Sequence, residues 1–465
     1  MQRGVRAWEL GAIHSLPMSV GSALRLAARG LRTPRGLTRG LCLSCVAWLT
    51  ACAGPGGPDV ADSQRTLRVG SSGDYAPFSI VAAEASIDGL RVVEGFDAVI
   101  AERFAQDAGL ELHWIPFRWP ELMADMRQGR FDVVMSGVTV RPERSVAGRF
   151  SVPVAETGAV LLVDAALAAR HPGVARDDAS RFDAPGLRVA VNAGGHLERV
   201  TRRAFVKASI LAIPDNAAVP AALASGEADA VVSDTLEAPH WLESLPGAVA
   251  FGPFTRDWKA YWVAPGEEVL ASQLDDWLLA READGSLAAL REQWLAENSL
   301  PTASPGRALI AACDERLALM PFVAGFKRAE QRQIVDAARE ELVIEAGQRA
   351  VARAAARRGV EAPAPEQVRR FYRAQIDAAV EVQERVLAEP EDPALSRFDL
   401  QRALRPALIR IGDRMADLIV RVAADPARVA DSEPMARALA RHRLSDGSLQ
   451  AIADAVRGLS YHRRP

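Results

Sequence analysis

An α/β half followed by an all-helical half is the architecture that this sequence predicts, and three observations carry it. Between about Thr66 and Ala296, short apolar runs alternate with amphipathic stretches, the pattern of strands and helices laid down in turn around a mostly parallel sheet. From about Arg307 onward the strand signals stop, and Ala, Arg, Glu and Leu recur at helical spacing. Breaks rich in Pro and Gly, AGPGGPDVADSQ and NSLPTASPG, fence the α/β half on both sides. A chain of 465 residues, 49% of them hydrophobic, is ample for two or three buried cores. The expected boundaries are a leader over 1–52, a linker over 53–65, the α/β region over 66–300, a second linker over 301–306 and the helical region over 307–460.

The leader differs in kind from the rest. Arg25, Arg29, Arg32, Arg35 and Arg39 precede the apolar run LCLSCVAWLTA with no acid among them. That is a basic segment and a hydrophobic segment, the latter too short for a permanent membrane span. The run ends in Leu49-Thr50-Ala51-Cys52, which resembles the bacterial lipoprotein processing site. The resemblance implies a periplasmic protein whose Cys52 carries lipid and anchors it to the membrane; an ordinary export signal cut after a small residue is the alternative. A start at Met18 leaves a more usual leader.

Charge and cysteines exclude several function classes. Lys and Arg total 56 against 59 Asp and Glu, a net charge of −3, so no nucleic acid or other polyanion partner is implied. Cys42 and Cys45 would depart with the leader and Cys52 would carry lipid, which leaves Cys313 alone in the folded part. A single thiol makes no internal disulfide and no cysteine-rich metal cluster. The seven His show no metal-ligand spacing, so neither metal nor cofactor is expected.

In the α/β half the strand candidates are LRVGSS, LELHWIPF, DVVMSG, GLRVAVNAG, SILAIP, DAVVSD and YWVAP. Helices such as DAVIAERFAQDAG and VPAALASGEA fall between them. The pieces LRVGSSGDYAPFS, GFDAVIAERFA, GRFDVVMSGVTVRPERSVAGRFSVP and DWLLAREADGSLAALREQWL resemble the small periplasmic amino-acid-binding proteins over the whole half. That resemblance implies a two-lobed α/β periplasmic-binding-protein fold closing on a small anion. It also places Arg144, after SGVTVRPER, where the family clamps a ligand carboxylate. A guanidinium suits the task because its planar fork matches a carboxylate.

Within that family the chain resembles the cyclohexadienyl dehydratases, which turned the binding cleft into an active site. FRWPELM supplies Trp119 for the cleft wall, NAGGHLE supplies Glu198, and VVSDTLEA supplies Asp234 and Glu237. Plain binding proteins hold a ligand's amino group near Asp234, so that residue does not discriminate. Prephenate loses its ring hydroxyl and ring carboxylate on aromatisation, which needs a proton donor and groups that fix two carboxylates. Glu198 is the expected donor, its acid form favoured by enclosure between lobes. The alternative is a solvated glutamate in the first turn of LERVTRRAFVKA, where acids favour the helix dipole. The dehydratases read Gly-Gly-Thr-Asn-Glu, whereas this chain has His196 and Leu197 in the middle. Lys259, in DWKAYWV, recurs in the dehydratases without an evident role; a lysine in a salt bridge at the lobe edge is the plainer reading.

The helical half breaks at APAP, EPEDP and ADPA, which predicts four or five helices. Arg316 and Lys327 lie close to three helical turns apart and so emerge on one face of a helix. RAEQRQ is the expected turn, Asp336 opens the next helix, and Asp336, Arg339 and Glu340 share a face there. The combination ERLALM…FK…VDAARE resembles the all-α chorismate mutases, most closely their exported subclass. By that resemblance Arg316 and Arg405 take the carboxylates of chorismate, while Lys327 and Gln383 donate to the ether oxygen. Glu340, helped by backbone near Asp336, takes the ring hydroxyl, and Arg339 completes the substrate-binding set. Ala379 stands where relatives often have Ser or Thr. Such a cage needs only to hold the compact conformer and favour negative charge on the breaking ether oxygen.

Joined, the resemblances imply a bifunctional enzyme of phenylalanine synthesis outside the cytoplasm: chorismate to prephenate, then prephenate to phenylpyruvate. Arogenate is a second expected substrate through Asp234, and the mutase resemblance implies a homodimer. The competing reading is an amino-acid-binding lipoprotein for transport or sensing fused to a chorismate mutase.

Overall fold

The computed structural model describes residues 65–87, 90–295, 300–424 and 432–459. The leader with Cys52, most of the first linker and the YHRRP end lie outside the described residues.

Two five-stranded sheets form the α/β half. The first runs in the order Glu111–Pro116, Thr66–Ser71, Val133–Val134, Trp262–Val263, Arg149–Phe150. Its first three strands are parallel, and Trp262–Val263 enters antiparallel between Val133–Val134 and Arg149–Phe150. The second sheet runs in the order Ser209–Ile213, Arg188–Asn192, Ala230–Asp234, Ala159–Val163, Val249–Phe251. A short antiparallel pair, Asp257–Lys259 with Ala155–Thr157, joins the two sheets. The chain thus leaves the first lobe, builds the second and returns, which gives two lobes about a narrow hinge.

Every expected strand is present, although DVVMSG and YWVAP contribute only two residues each. The hairpin Ser79–Ile87 with Leu90–Glu94 and the buried strand Ala159–Val163 were not anticipated. AVLLV is apolar throughout and buried on both faces, so it lacks the alternation that marks a half-exposed strand. The second sheet keeps its own apolar clusters, whereas the first lobe's core continues into the helical half.

Seven helices make up the described helical half: Pro305–Ala318, Met320–Ala329, Ala337–Arg358, Pro365–Ala388, Arg405–Ala424, Ser432–Leu439 and Asp446–Arg457. The expected second linker over 301–306 is shorter, since a helix already starts at Pro305. The single helix expected across Arg316 and Lys327 is two, parted at Leu319. Pro321 has no N–H for the carbonyl four residues back, so the chain cannot continue as one unbroken helix. The turn before Asp336 is as expected, and the Asp336 carboxylate accepts the Arg339 N–H at 3.0 Å as an N-cap.

Helix Arg405–Ala424 joins the two halves. Arg410 donates to the Ser145 carbonyl at 3.0 Å, and Arg414 donates to the Phe150 carbonyl at 2.5 Å while pairing with Glu315. Arg397 reaches Glu143 at 2.5 Å. The helical half therefore sits on the short helix Pro142–Ala147, the element that carries Arg144.

Candidate functional site

The lobes meet at a cleft walled by Tyr75, Trp119, Thr139 and Arg144 from one side and by Asn192, His196 and Asn216 from the other. Arg144 is 1% exposed and donates to the Thr139 carbonyl at 3.0 Å, yet its Nε has no partner. Among the described residues no carboxylate pairs with it. Burial pushes this guanidinium well below its ordinary range, and Arg141 nearby adds to the effect. A buried cation without a counter-ion is unfavourable until an anion arrives, which is the electrostatic signature of a carboxylate site. Trp119 lies against it, the guanidinium carbon 5.9 Å from the ring centroid, and its indole N–H donates to Asp74 at 3.2 Å.

The lobes are closed. Tyr75 donates to Asp234, Asn216 donates to the Asp74 carbonyl at 3.1 Å, Arg141 donates to the Gly195 carbonyl at 3.3 Å, and Arg199 pairs with Glu143 at 3.2 Å. Gly194, at φ +71°, lets its loop lie on Pro120; a Cβ there would fall 2.6 Å from the Pro120 Cα. The enclosed space is about 30 Å³, room for water rather than for a dianion, so a ligand enters only when the lobes part.

Asp234 does not reach the wall as a free carboxylate. Burial works to raise it, but the Lys259 ammonium at 3.1 Å, Tyr75 and two backbone N–H groups outweigh that and hold it below the ordinary range. Glu237 behind it is pushed well above its usual value by burial and by Asp234, and it takes hydrogen bonds from Asn216 and Ser233.

Glu198, the expected proton donor, lies in the first turn of helix His196–Ala204. Its side chain is not in the cleft wall; it accepts the Gly194 N–H at 2.7 Å and pairs with Arg202 at 2.8 Å. Partial burial raises its pKa, but that hydrogen bond and Arg202 outweigh the effect, so the carboxyl sits below its ordinary value and is ionised. The physical reason is local: in the first turn of helix His196–Ala204, the helix start and the residue four places on are nearer partners than the cleft. His196 takes the inward place instead. Its Nε2 lies 2.8 Å from Asp257, and the ring is 8% exposed. Burial lowers the imidazole while Asp257 works to raise it, and the net shift is downward.

The helical half holds a second cavity, of about 450 Å³. Arg316, Lys327, Arg339, Arg353 and Arg405 face it, with Asp413 as the one acid on the wall. Arg316 donates to the Gln375 carbonyl at 3.0 Å and Lys327 to the Ile334 carbonyl at 2.7 Å; among the described residues neither has an ion-pair partner. Burial lowers both cations, and it also lowers Arg405, which lies near Arg339. Gly347 permits the close approach of Tyr372, whose ring a side chain there would strike; the Tyr372 hydroxyl has no partner.

Of the residues expected in this cavity, Arg316, Lys327, Arg339 and Arg405 meet in it, and three others do not. Gln383 is turned onto its own helix, donating to the Ala379 carbonyl at 2.9 Å and leaving Oε1 unpaired. Glu340 pairs with Arg373 at 2.9 Å, a nearer cation than any across the cavity. Asp336 is spent on its cap. Arg353 and Tyr372 were not foreseen. Arg339, Val343, Ala346, Ala350 and Arg353 form one stripe at helical spacing, which puts Arg353 on the cavity face once that face is known.

Comparison with known proteins covers the α/β half. Residues 67–297 match the model of bacterial extracellular solute-binding proteins, family 3. The cyclohexadienyl dehydratase of Pseudomonas aeruginosa is 34% identical over 240 residues, covering 51% of this chain and 85% of that protein. The L-cystine-binding protein TcyJ of Escherichia coli is 27% identical, covering 49% of this chain and 82% of that protein. A solved ancestral amino-acid-binding protein, described as a precursor of cyclohexadienyl dehydratase, is 29% identical and covers 50% of this chain and 95% of its own, with a TM-score of 0.43. Among the described residues no helix is long and apolar enough to cross a membrane.

Proposed function

For a chain that belongs to the bacterial extracellular solute-binding proteins, family 3, we propose a bifunctional enzyme: the helical cavity turns chorismate into prephenate and the cleft turns prephenate into phenylpyruvate. The observation that carries this reading is that both hollows hold an arginine without a carboxylate partner, Arg144 in one and Arg316 in the other. Each is suited to a carboxylate of a small dianion.

In the cleft, Arg144 anchors a carboxylate as the lobes close and exclude water. The ring carboxylate leaves as carbon dioxide, and its bonding electrons pass into the ring. The hydroxyl leaves with a proton as water, and aromatisation drives the step. His196 is the proposed proton donor: a bound dianion raises an imidazole's pKa, Asp257 holds Nε2, and Nδ1, which faces Arg199 at 3.5 Å in the closed form, is the nitrogen left to carry the proton. In the helical cavity, Arg316 and Arg405 hold the two carboxylates and Lys327 faces the ether oxygen, where negative charge develops. Arg339 and Arg353 add to the positive field. The lipid anchor at Cys52 and a homodimer through the helical half belong to the same proposal.

The test gives the soluble protein, starting after Cys52, chorismate alone at neutral pH and follows prephenate and phenylpyruvate. Phenylpyruvate from the parent and from Glu198→Gln, but only prephenate from His196→Gln, is the expected result. Loss of phenylpyruvate in Glu198→Gln instead would return the donor's role to that carboxyl. Prephenate accumulating in the parent would leave the cleft without dehydratase activity. A second reading, a binding protein for amino acids, draws on the unpaired Arg144 together with the 27% identity to an L-cystine-binding protein. An amino acid retained one per protein after purification would favour it.

A further inference from the structure

The first lobe and the helical half share one continuous apolar core, whereas the second lobe keeps its own clusters. When the cleft opens about its hinge, the helical half therefore stays with the first lobe and the second lobe moves. Of the contacts that must then break, Arg199 to Glu143 joins two full charges.

Glu143 is not left to Arg199. Its Oε1 accepts from Arg199 at 3.2 Å and from Arg397 of the helical half at 2.5 Å. Arg141 stands further off, its Nε 3.9 Å from Oε2, and donates instead to the Gly195 carbonyl of the second lobe. The Glu143 side chain is 16% exposed. Burial works to raise its pKa, but Arg199, Arg141 and Arg397 outweigh that and keep it ionised.

Arg397 is held on the side that does not move. Its guanidinium carbon lies 5.1 Å from the ring centroid of Phe322 and 4.9 Å from that of Phe398, and the two rings pack together at 5.2 Å. Arg441, another cation of the helical half near Arg199, is already engaged by Asp314 at 2.7 Å.

Opening takes Arg199 away from a carboxylate that is largely shielded from water. Such a carboxylate without a counter-ion is strongly unfavourable, so the Arg199–Glu143 pair by itself would hold the cleft shut. Arg397 shifts that balance in two ways of the same sign. It leaves Glu143 paired in the open form. In the closed form it competes with Arg199 for one oxygen, and the two guanidinium groups repel.

We infer that Arg397 is the residue that lets the cleft open: the helical half lends Glu143 a standing counter-ion, which makes parting the lobes less unfavourable and speeds release of the ligand. Arg397 touches no ligand and acts through Glu143 as a positioning residue. It plays this part whether the cleft turns its ligand over or only binds it.

Two spin labels on the chain starting after Cys52 read the lobes directly. Val206→Cys on the second lobe and Val269→Cys on the first are exposed sites, 75% and 65%, and the remaining thiol, Cys313, is buried. In double electron–electron resonance, Arg397→Ala should raise the closed-to-open ratio about fivefold, the upper range for one partly exposed ion pair. Its side chain is 45% exposed, so the variant folds. Arg397→Lys keeps the charge and should read as the parent does. Glu143→Gln should move the ratio the other way, and adding Arg397→Ala to it should change little more. Stopped-flow release of phenylpyruvate should slow in Arg397→Ala by the same factor. The parent's ratio in Arg397→Ala would overturn the inference, as would an equal shift with and without the Glu143 carboxylate. Failure of phenylpyruvate to bind would sink the dehydratase reading and leave the measured distances to decide the role of Arg397.

Discussion

The cleft and the helical cavity both offer guanidinium to a carboxylate, but they balance charge in opposite ways. In the cleft the cations are either matched, as Lys259 is by Asp234, or sealed from water, as Arg144 is. In the helical cavity the five cations Arg316, Lys327, Arg339, Arg353 and Arg405 outnumber the acids near them, Asp413 on the wall and Asp336 and Glu340 beside Lys327, and Leu342 and Ile409 at the rim are 51% and 61% exposed. The enclosed volumes, about 30 Å³ against about 450 Å³, follow from the same difference. Two lobes on a short hinge admit a ligand by parting, so their closed form can be dry and tightly networked. A bundle braced by long helices has no such hinge, so its site keeps a standing cavity of about 450 Å³ with an excess of cations on its wall. Enclosure strengthens each ionic contact by lowering the local dielectric; an open cavity reaches comparable attraction by number.

The sharpest way to break this comparison is Arg316→Ala. It removes the most enclosed cation of the helical cavity and should cost about 10³-fold in chorismate turnover, on the scale of losing one charge-stabilising group. Binding of phenylpyruvate in the cleft should be unchanged. A loss of only a few fold would show that the cavity's cations share the task without a principal member. Arg144→Ala is the matching test in the cleft. Removing one partner of a buried charge pair costs about 2–5 kcal/mol, so oxo-acid affinity should fall by about 10²-fold or more while prephenate formation continues. Equal damage to both activities would mean that the halves are coupled through the helix carrying Arg144.

Salt separates the two by a smaller margin. Half-exposed cations are screened as the Debye length shrinks from about 10 Å at 0.1 M to about 3 Å at 1 M. The mutase KM should therefore rise several fold over that range, with a weaker response in cleft binding. Parallel salt dependence would argue that the cleft, too, is read from solvent.

Smallest is an opposite response of stability to pH. Asp97, which accepts the Gly137 N–H at 2.6 Å beside the cleft, is raised to about 7, chiefly by burial. Unfolded, it would titrate near 4, so stability falls as pH rises from about 4 through about 7 while the folded form gives up its proton. Asp314 in the helical half is depressed: burial raises it, but Arg441 and His442 outweigh that. Its contribution is present above about pH 4 and is lost as pH falls through the depressed value. Asp97→Asn should flatten the first trend, changing Tm by a few degrees between pH 5 and pH 7 in thermal melts and leaving the acid limb intact. A variant with the parent's slope would move the cause elsewhere.

Much of this was legible in the chain. The strand runs, the helical half and the Asp336 cap could be found from periodicity and local pattern, because those signals are short-range; the cations Arg316, Lys327, Arg339 and Arg405 were singled out by the likeness to the chorismate mutases. Glu198, Gln383 and Glu340 show where such reading stops. Each belongs to a plausible segment, yet each side chain is claimed by a neighbour within reach: Arg202 for Glu198, the Ala379 carbonyl for Gln383, and Arg373 for Glu340. An ion pair or hydrogen bond depends on ångströms, whereas a segment places a residue only to within a helical turn. Arg353 was missed for a different reason: a charged residue on an amphipathic helix reads as solvent-facing unless the opposite wall is known.

Taken alone, the sequence determined the order of the two architectures, the elements inside them and which residues could carry charge into a hollow. Those properties follow from the alternation of apolar and polar positions and from the helix and turn preferences of neighbouring residues. Only the tertiary structure decided which charges are free. Lys259 and Asp234 lie on different elements and pair directly, and Tyr75, brought from a distant part of the chain, joins both. Whether a cation meets a ligand or a carboxylate of its own chain is a long-range fact. It depends on which groups folding has already brought within 4 Å, and no local pattern records that.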